Sequence, residues 1–175
     1  MSDEGRMVVS PLADVPTPEL LAIYGQILTI LRERGITRTE DSPVGGYAEY
    51  LASIAFGLEL TTNSAIGYDG IDAEGIRYQV KGRRITRWNP SRQVSAIRGL
   101  GDEHVEPFNL LVGILFNADM SVMRAALVPV AVVRAQSKLQ AHVNGWRFHL
   151  RDAVWAISGV RDVTDEIREA SARAT

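Results

Sequence analysis

The stretch that decides the fold is GYDGIDAEGIRYQVKGRR, residues 67–84. Segments 68–71 and 76–85 tend to alternate apolar and polar side chains, which predicts two strands. The residues DAEG at 72–75 have the composition of a turn and separate the two segments. The sequence therefore predicts a β-hairpin, and residues two apart on its second strand face the same way.

A polar row follows one face of the second predicted strand. It consists of Arg77, Gln79, Lys81 and Arg83. An amphipathic strand at a solvated sheet edge would show the same pattern, so the row alone does not indicate a site. The row contains no carboxylate that would neutralise it, however, and Asp69 lies on the preceding strand. Gly82 would also let another group approach the backbone closely, which favours a functional interpretation.

Positive charge is concentrated between residues 77 and 98. This segment holds seven basic residues, no acidic residue and Trp88, although the net charge of the whole chain is only −2. Such a patch is typical of a surface that binds phosphates, but Lys and Arg also protect strand edges from pairing. The candidate nucleic-acid-binding residues are Arg77, Arg83, Arg84, Arg87 and Arg92.

Glu49 is a second acidic side chain to consider. It lies on the flank of the apolar stripe of a helix predicted at 46–58. Most glutamates at such positions are simply exposed to solvent. If this flank faced the sheet, Glu49 would place a second carboxylate next to Asp69. Mg²⁺ is bound by such oxygen ligands, with one or two carboxylates, waters and substrate phosphate.

The whole pattern predicts an α/β (α+β) fold with a small mixed central sheet flanked by helices. Helices are expected at 17–35, at 46–58 and at 163–172, and Pro129 is expected to open another that runs to about residue 140. The apolar segment 108–116 predicts a buried central strand, with its partner at 123–128 and a last short strand at 146–150. Residues 1–16 are expected to form a flexible N-terminal arm, and residues 17–175 a single domain.

Several classes of protein are excluded by composition. The absence of cysteine excludes disulfides, Cys-ligated zinc and a thiol nucleophile, and it fits a reducing compartment. The apolar runs are shorter than the roughly 18–20 residues of a spanning helix, so we expect a soluble, cytoplasmic protein with no membrane partner. There is no P-loop or dinucleotide fingerprint. The histidines, His104, His142 and His149, lack metal-ligand spacing.

Three short motifs carry a family resemblance. Glu49 in GGYAEYLA, Asp69 in GYD and the strand Gln79-Val80-Lys81 resemble the PD-(D/E)xK restriction-endonuclease-like nuclease superfamily. With glutamine in place of glutamate, the motif is similar to the D…QxK variant of Mrr-type restriction endonucleases. The core resemblance covers residues 44–88. The distal segments VNGWRFHLRDAVW and GVRDVTDEI resemble a smaller bacterial group within the superfamily.

The resemblance implies hydrolysis of DNA phosphodiester bonds with Mg²⁺ or Mn²⁺, in a restriction or defence setting. The implied catalytic residues are Glu49, Asp69, Gln79 and Lys81. Of these, Asp69, Glu49 and Gln79 would bind the metal, which lowers the pKa of a bound water. Lys81 would orient this water and stabilise the developing charge. Because Gln79 is neutral, an alternative is a catalytically weak or inactive nuclease-fold module that binds nucleic acid or a protein partner.

Two further points are open at the level of sequence. Asp72 competes with Asp69 as the acid that precedes the strand, although the DAEG pattern favours a turn role for Asp72. If a nuclease of this size cuts both DNA strands, we expect it to pair as a homodimer, although the residues themselves give no dimer signal.

Overall fold

The computed structural model of the protein describes residues 11–39, 42–62, 67–102, 104–141 and 144–174. The chain divides into two compact units, Met1–Asp41 and Ser42–Thr175. Of the predicted N-terminal arm, residues 11–16 are described and residues 1–10 lie outside the described part, as does His142. Among the described helices, none has both the length and the apolar content that crossing a membrane requires.

The first unit contains the helix α1, Thr17–Glu33, which confirms the helix expected after Pro16. Pro18 lies in its first turn, where a missing backbone N–H costs nothing because that group would have no partner within the helix. The helix ends at Glu33, and Gly35, two residues later, has a φ of 70°. The N–H of Ile36 then donates to the carbonyl of Leu31, which satisfies one of the terminal carbonyls.

The second unit is built around a six-stranded mixed sheet. Its strands lie in the order β1 (Glu59–Leu60), β2 (Gly70–Ile71), β3 (Arg77–Arg84), β4 (Leu110–Phe116), β5 (Val122–Pro129) and β8 (Arg161–Asp162). Only β3 and β4 run parallel, and the other neighbours are antiparallel. A separate pair is formed by β6 (Lys138–Gln140) and β7 (Gly145–Arg147). The predicted mixed sheet and the predicted hairpin are thus confirmed.

Helices cover one face of the six-stranded sheet. They are α2 (Pro43–Phe56) and α4 (Thr164–Arg173), and they pack on Val80 of β3, on Val112 of β4 and on their apolar neighbours. The ring of Phe56 stacks on that of Tyr78, with centroids 6.0 Å apart. Because side chains alternate along a strand, the face of β3 that carries Tyr78 and Val80 meets α2, and Gln79 and Lys81 face the other way.

The other face is covered mainly by irregular chain. Val94, Ile97 and Leu100 from one loop, together with Phe148 and Leu150, pack against Leu111 and Leu115 of β4. The short helix α3 (Val130–Gln136) and a 3-10 helix (Asp152–Ala156) complete this layer. The sheet is therefore buried on both faces around β4, as its apolar sequence predicts.

Some predicted boundaries were wrong. Helix α2 begins at Pro43 and not at Gly46, because Pro43 occupies the first turn of the helix after Ser42. Helix α3 ends at Gln136, since the chain turns there into β6. The described segment 93–98 is irregular, and its Gln93 and Ile97 form isolated bridges with His149 and Trp146.

Candidate functional site

Asp69 lies immediately before β2, where its backbone extends the hairpin ladder. Its N–H donates to the carbonyl of Tyr78 at 2.7 Å, and its carbonyl accepts the N–H of Thr61 at 2.9 Å. Its carboxylate turns toward β3, where Oδ2 accepts the backbone N–H of Val80 at 2.7 Å. Only 7% of Asp69 is exposed. This buried carboxylate is therefore positioned by the sheet itself.

Gln79 contacts the same carboxylate through its side chain. Its Nε2 donates a hydrogen bond to Oδ2 of Asp69, and Gln79 is as deeply buried as Asp69. An amide nitrogen next to a carboxylate is the favourable orientation, because a carboxylate only accepts hydrogen bonds. The two oxygens that take no part in this pair of hydrogen bonds are Oδ1 of Asp69 and Oε1 of Gln79.

Lys81 completes the row on β3 and lies in the same cleft. The cleft has a volume of about 340 Å³, and its lining residues are Gly67, Asp69, Gln79, Lys81, Ser95, Ala96 and Arg98. Lys81 is half-buried, and within the described part of the chain no hydrogen bond or ion pair engages its ammonium. Three of the four residues that the family resemblance implies therefore line one cleft.

Glu49 lies in a different place from these three residues. It is half-buried on α2, next to Ala48, which packs against Gly82 of β3. Helix α2 covers the face of β3 opposite to the one that carries Gln79 and Lys81. Glu49 is not among the described residues that line the cleft. Its role as a metal ligand stays a prediction.

Gly82 has a structural explanation on this same face. A Cβ added at Gly82 would lie 2.8 Å from the carbonyl oxygen of Val44 and 2.9 Å from the Cβ of Ala48. Both of these atoms belong to α2. The close approach that the sequence suggested at Gly82 is therefore made by a helix of the protein itself.

The oxygen ligands of the cleft fit a hard cation that keeps much of its water. Mg²⁺ is usually bound through one or two carboxylates, with waters in its other positions. Asp69 supplies one carboxylate and Gln79 one amide oxygen. In the part of the chain that the structure describes, no three His, Asp or Glu side chains converge. A metal in this cleft would therefore depend on Asp69, Gln79 and water.

Asp72 has the turn role that its DAEG context predicts. Its Oδ1 accepts the backbone N–H groups of Glu74 at 3.1 Å and Ile76 at 2.8 Å, which holds the turn. Its Oδ2 accepts the hydroxyl of Tyr78 at 2.9 Å. Burial, together with this hydrogen bond and the charge of Asp72, raises the pKa of Tyr78 to about 12. Both carboxylate oxygens of Asp72 therefore accept hydrogen bonds within the hairpin.

All five predicted nucleic-acid-binding arginines contact their own chain. Arg83 donates to Asn89 at 2.7 Å and to the carbonyl of Ser91 at 3.0 Å. Other partners are Asn109 and the ring of Tyr68 for Arg77, the carbonyl of Ala118 for Arg84, the ring of Trp88 for Arg87 and the carboxylate of Asp152 for Arg92. These contacts position the arginines. The exposed ones can still contact the phosphates of a bound nucleic acid.

Arg98 is the residue that sequence reasoning missed. It is exposed and lines the cleft beside Lys81, although it was not among the candidate site residues. In the sequence, Arg98 is indicated only as the last residue of the basic segment 77–98, which contains no acidic residue. Its loop is positioned by the bridge between Ile97 and Trp146, which are far apart along the chain.

Comparison with known protein families finds no match, and a search of curated proteins also finds none. The interpretation of the cleft therefore rests on its residues and their geometry.

Proposed function

We propose that the protein is a metal-dependent nuclease of the PD-(D/E)xK type that hydrolyses phosphodiester bonds of DNA in the Asp69 cleft. The observation that carries this proposal is the convergence of Asp69, Gln79 and Lys81 on one cleft. A buried carboxylate, an amide oxygen and an ammonium supply, respectively, a cation ligand, a second oxygen ligand and a positive charge. An ordinary solvated strand edge does not need a carboxylate held by a backbone N–H and a side-chain amide.

The chemistry follows from the charges that line the cleft. Mg²⁺ or Mn²⁺ held by Asp69 and Gln79 would supply a Lewis acid for the scissile phosphate and for a water molecule. The Lys81 ammonium orients the attacking water and stabilises the negative charge that develops on the phosphate oxygens. Water oxygen forms the new bond to phosphorus and the bond to the leaving oxygen breaks. The water loses a proton to solvent, and the leaving oxygen takes a proton from solvent. Arg98 binds a non-bridging phosphate oxygen of the same strand.

Two groups of predicted residues stand differently in this proposal. Glu49 has no part in the metal site, because α2 covers the opposite face of β3 and Glu49 is not among the described residues that line the cleft. Exposed arginines of the 77–98 segment, Arg84 and Arg87 above all, would contact phosphates and set register without reading sequence. A cytoplasmic location, a homodimer and a restriction or defence role belong to the same proposal.

A second candidate function is a module of the nuclease fold that binds nucleic acid or a protein partner and cleaves weakly or not at all. The hydrogen bond from Gln79 to Asp69 favours it, because the amide satisfies this carboxylate without a metal. A neutral amide oxygen is also a weaker ligand for a divalent cation than a carboxylate.

Incubation of supercoiled plasmid with the protein separates these two functions. We expect nicked or linear DNA with Mg²⁺ or Mn²⁺ and intact plasmid in EDTA. A labelled RNA in a parallel reaction tests the preference for DNA. Intact DNA with every metal, combined with retardation of the DNA in a gel, would contradict the nuclease proposal and support the binding module.

A further inference from the structure

A second cleft, separate from the Asp69 site, is lined by positive charge. It has a volume of about 380 Å³. Its polar lining residues are Gln136, Lys138, Arg147, His149 and Arg151, and its apolar ones are Ala153, Val154 and Ile157. None of these described lining residues is acidic. We call this cleft the basic pocket.

The fold itself brings these cations together. Phe148 and Leu150 are fully buried in the core, so the alternating Arg147, His149 and Arg151 point away from it. On the neighbouring strand, Lys138 is the register partner of Arg147. The hydrophobic core therefore determines that four basic side chains share one concave surface.

The positive charge of the basic pocket is not neutralised within the described residues. Lys138, Arg147 and Arg151 take part in no ion pair there. Asp152 is adjacent in sequence, but its Oδ1 accepts Arg92 at 2.7 Å and Arg124 at 3.2 Å. Burial, and after it the charges of Arg151 and Arg147, lowers the pKa of His149 below its ordinary value. An anion in the pocket would relieve this repulsion.

The basic pocket adjoins the wall of the Asp69 cleft. The loop that lines this cleft with Ser95 and Ala96 forms bridges at Gln93 with His149 and at Ile97 with Trp146. The short stretch between these two bridges therefore runs beside Arg147. Ser95 and Ala96 of the Asp69 cleft and Arg147 and His149 of the basic pocket therefore lie on neighbouring segments of chain. A DNA strand carries regularly spaced phosphates, so one molecule can contact more than one site.

We propose that the basic pocket binds a backbone phosphate of the same DNA molecule whose scissile bond lies in the Asp69 cleft. This inference rests on the proposed function and adds a second contact with its DNA substrate. The planar guanidinium groups of Arg147 and Arg151 match the oxygens of a phosphate in bidentate geometry. Lys138 adds a point charge, and an imidazole N–H of His149 donates a further hydrogen bond. The contact fixes the position of the DNA and is independent of base sequence.

The test measures binding without cleavage. Fluorescence anisotropy of a labelled DNA duplex in EDTA compares wild type with the double variant Arg147→Gln/Arg151→Gln. We expect binding of the variant to be about tenfold weaker, and the slope of log affinity against log salt to fall by about one. The control is Arg161→Gln/Arg173→Gln, which removes the same charge from β8 and α4 and should bind as wild type does.

Equal affinities and equal salt slopes for wild type, variant and control would overturn the inference. A second arm adds inorganic phosphate while the ring signals of His149 are followed by NMR. If phosphate moves these signals but the DNA affinity of the variant is unchanged, the pocket binds free phosphate and the inference is also wrong. Weaker DNA binding by the variant, in a protein that never cleaves plasmid, would support the pocket and refute only the nuclease proposal.

Discussion

The carboxylate of Asp69 accepts the backbone N–H of Val80 at 2.7 Å, so the acid proposed to bind a metal also completes a hydrogen bond of the hairpin. Both residues are buried. A substitution at Asp69 therefore changes the stability of the fold as well as any activity. Loss of activity in such a variant has to be judged against its free energy of unfolding.

For Asp69→Ala we expect a decrease of about 1–3 kcal/mol in the free energy of unfolding, because a buried N–H loses its acceptor. Asp69→Asn keeps an oxygen that can accept from Val80 and should cost less. Urea unfolding of both variants and wild type measures the difference. An Asp69→Ala variant as stable as wild type would contradict the structural role.

Gln79→Glu tests the metal site independently of cleavage. The substitution replaces the hydrogen-bond donor to Asp69 with a second carboxylate in a buried position. We expect a lower Tm than wild type in EDTA, because like charges repel. Mg²⁺ or Mn²⁺ should raise the Tm of the variant more than that of wild type, since tighter binding to the folded state adds more stability. Equal shifts on adding metal would show that no cation binds between these two side chains.

Gly82→Ala tests the packing of α2 on β3. The new Cβ would clash with the carbonyl of Val44 and with Ala48, and overpacking typically costs about 1–3 kcal/mol. The control is Gly45→Ala on the same helix, where a Cβ meets nothing within 4 Å and helix propensity improves by up to about 1 kcal/mol. The free energy of unfolding, measured by chemical denaturation, should therefore decrease for Gly82→Ala and increase for Gly45→Ala. A neutral Gly82→Ala would contradict the close contact.

The ionisation of Tyr78 predicts a loss of stability in alkali. Burial raises its pKa to about 12 from an ordinary value of 10.0, so the folded state favours the neutral phenol. This contribution is fully present below pH 10. Between pH 10 and 12 the unfolded chain releases the proton first, so the contribution falls as the pH rises. The stability advantage of wild type over Tyr78→Phe should shrink across this window, and a constant advantage would contradict the assignment.

The elements that could be predicted from the sequence depend on local patterns. The hairpin follows from alternation around a turn, and β4 follows from an unbroken apolar run. Because strand alternation places Gln79 and Lys81 on one face, their convergence was also predictable. The start of α2 was missed because the glycines after Pro43 suggested a loop, although Ser42 and Pro43 carry a helix-start signal.

The parts that were not predictable depend on contacts between distant segments. Arg98 reaches the cleft because its loop pairs with the chain near Trp146 and His149. No periodicity within that loop encodes this pairing. Contact between Ala48 and Gly82 likewise determines which face of β3 is covered by α2. Glu49 therefore lies on the opposite side of β3 from Gln79 and Lys81. A motif spacing alone cannot distinguish the two faces of a strand.

Lys81→Met provides the most direct test of the proposed nuclease site. The substitution keeps the length of the side chain and removes its charge, and no described hydrogen bond depends on Lys81. With Mg²⁺ present, the rate of plasmid nicking should fall by about a hundredfold or more while the Tm stays near that of wild type. Arg173→Met on α4 removes the same charge and should nick at the wild-type rate. Equal nicking by wild type and Lys81→Met would contradict the assignment of catalysis to this cleft.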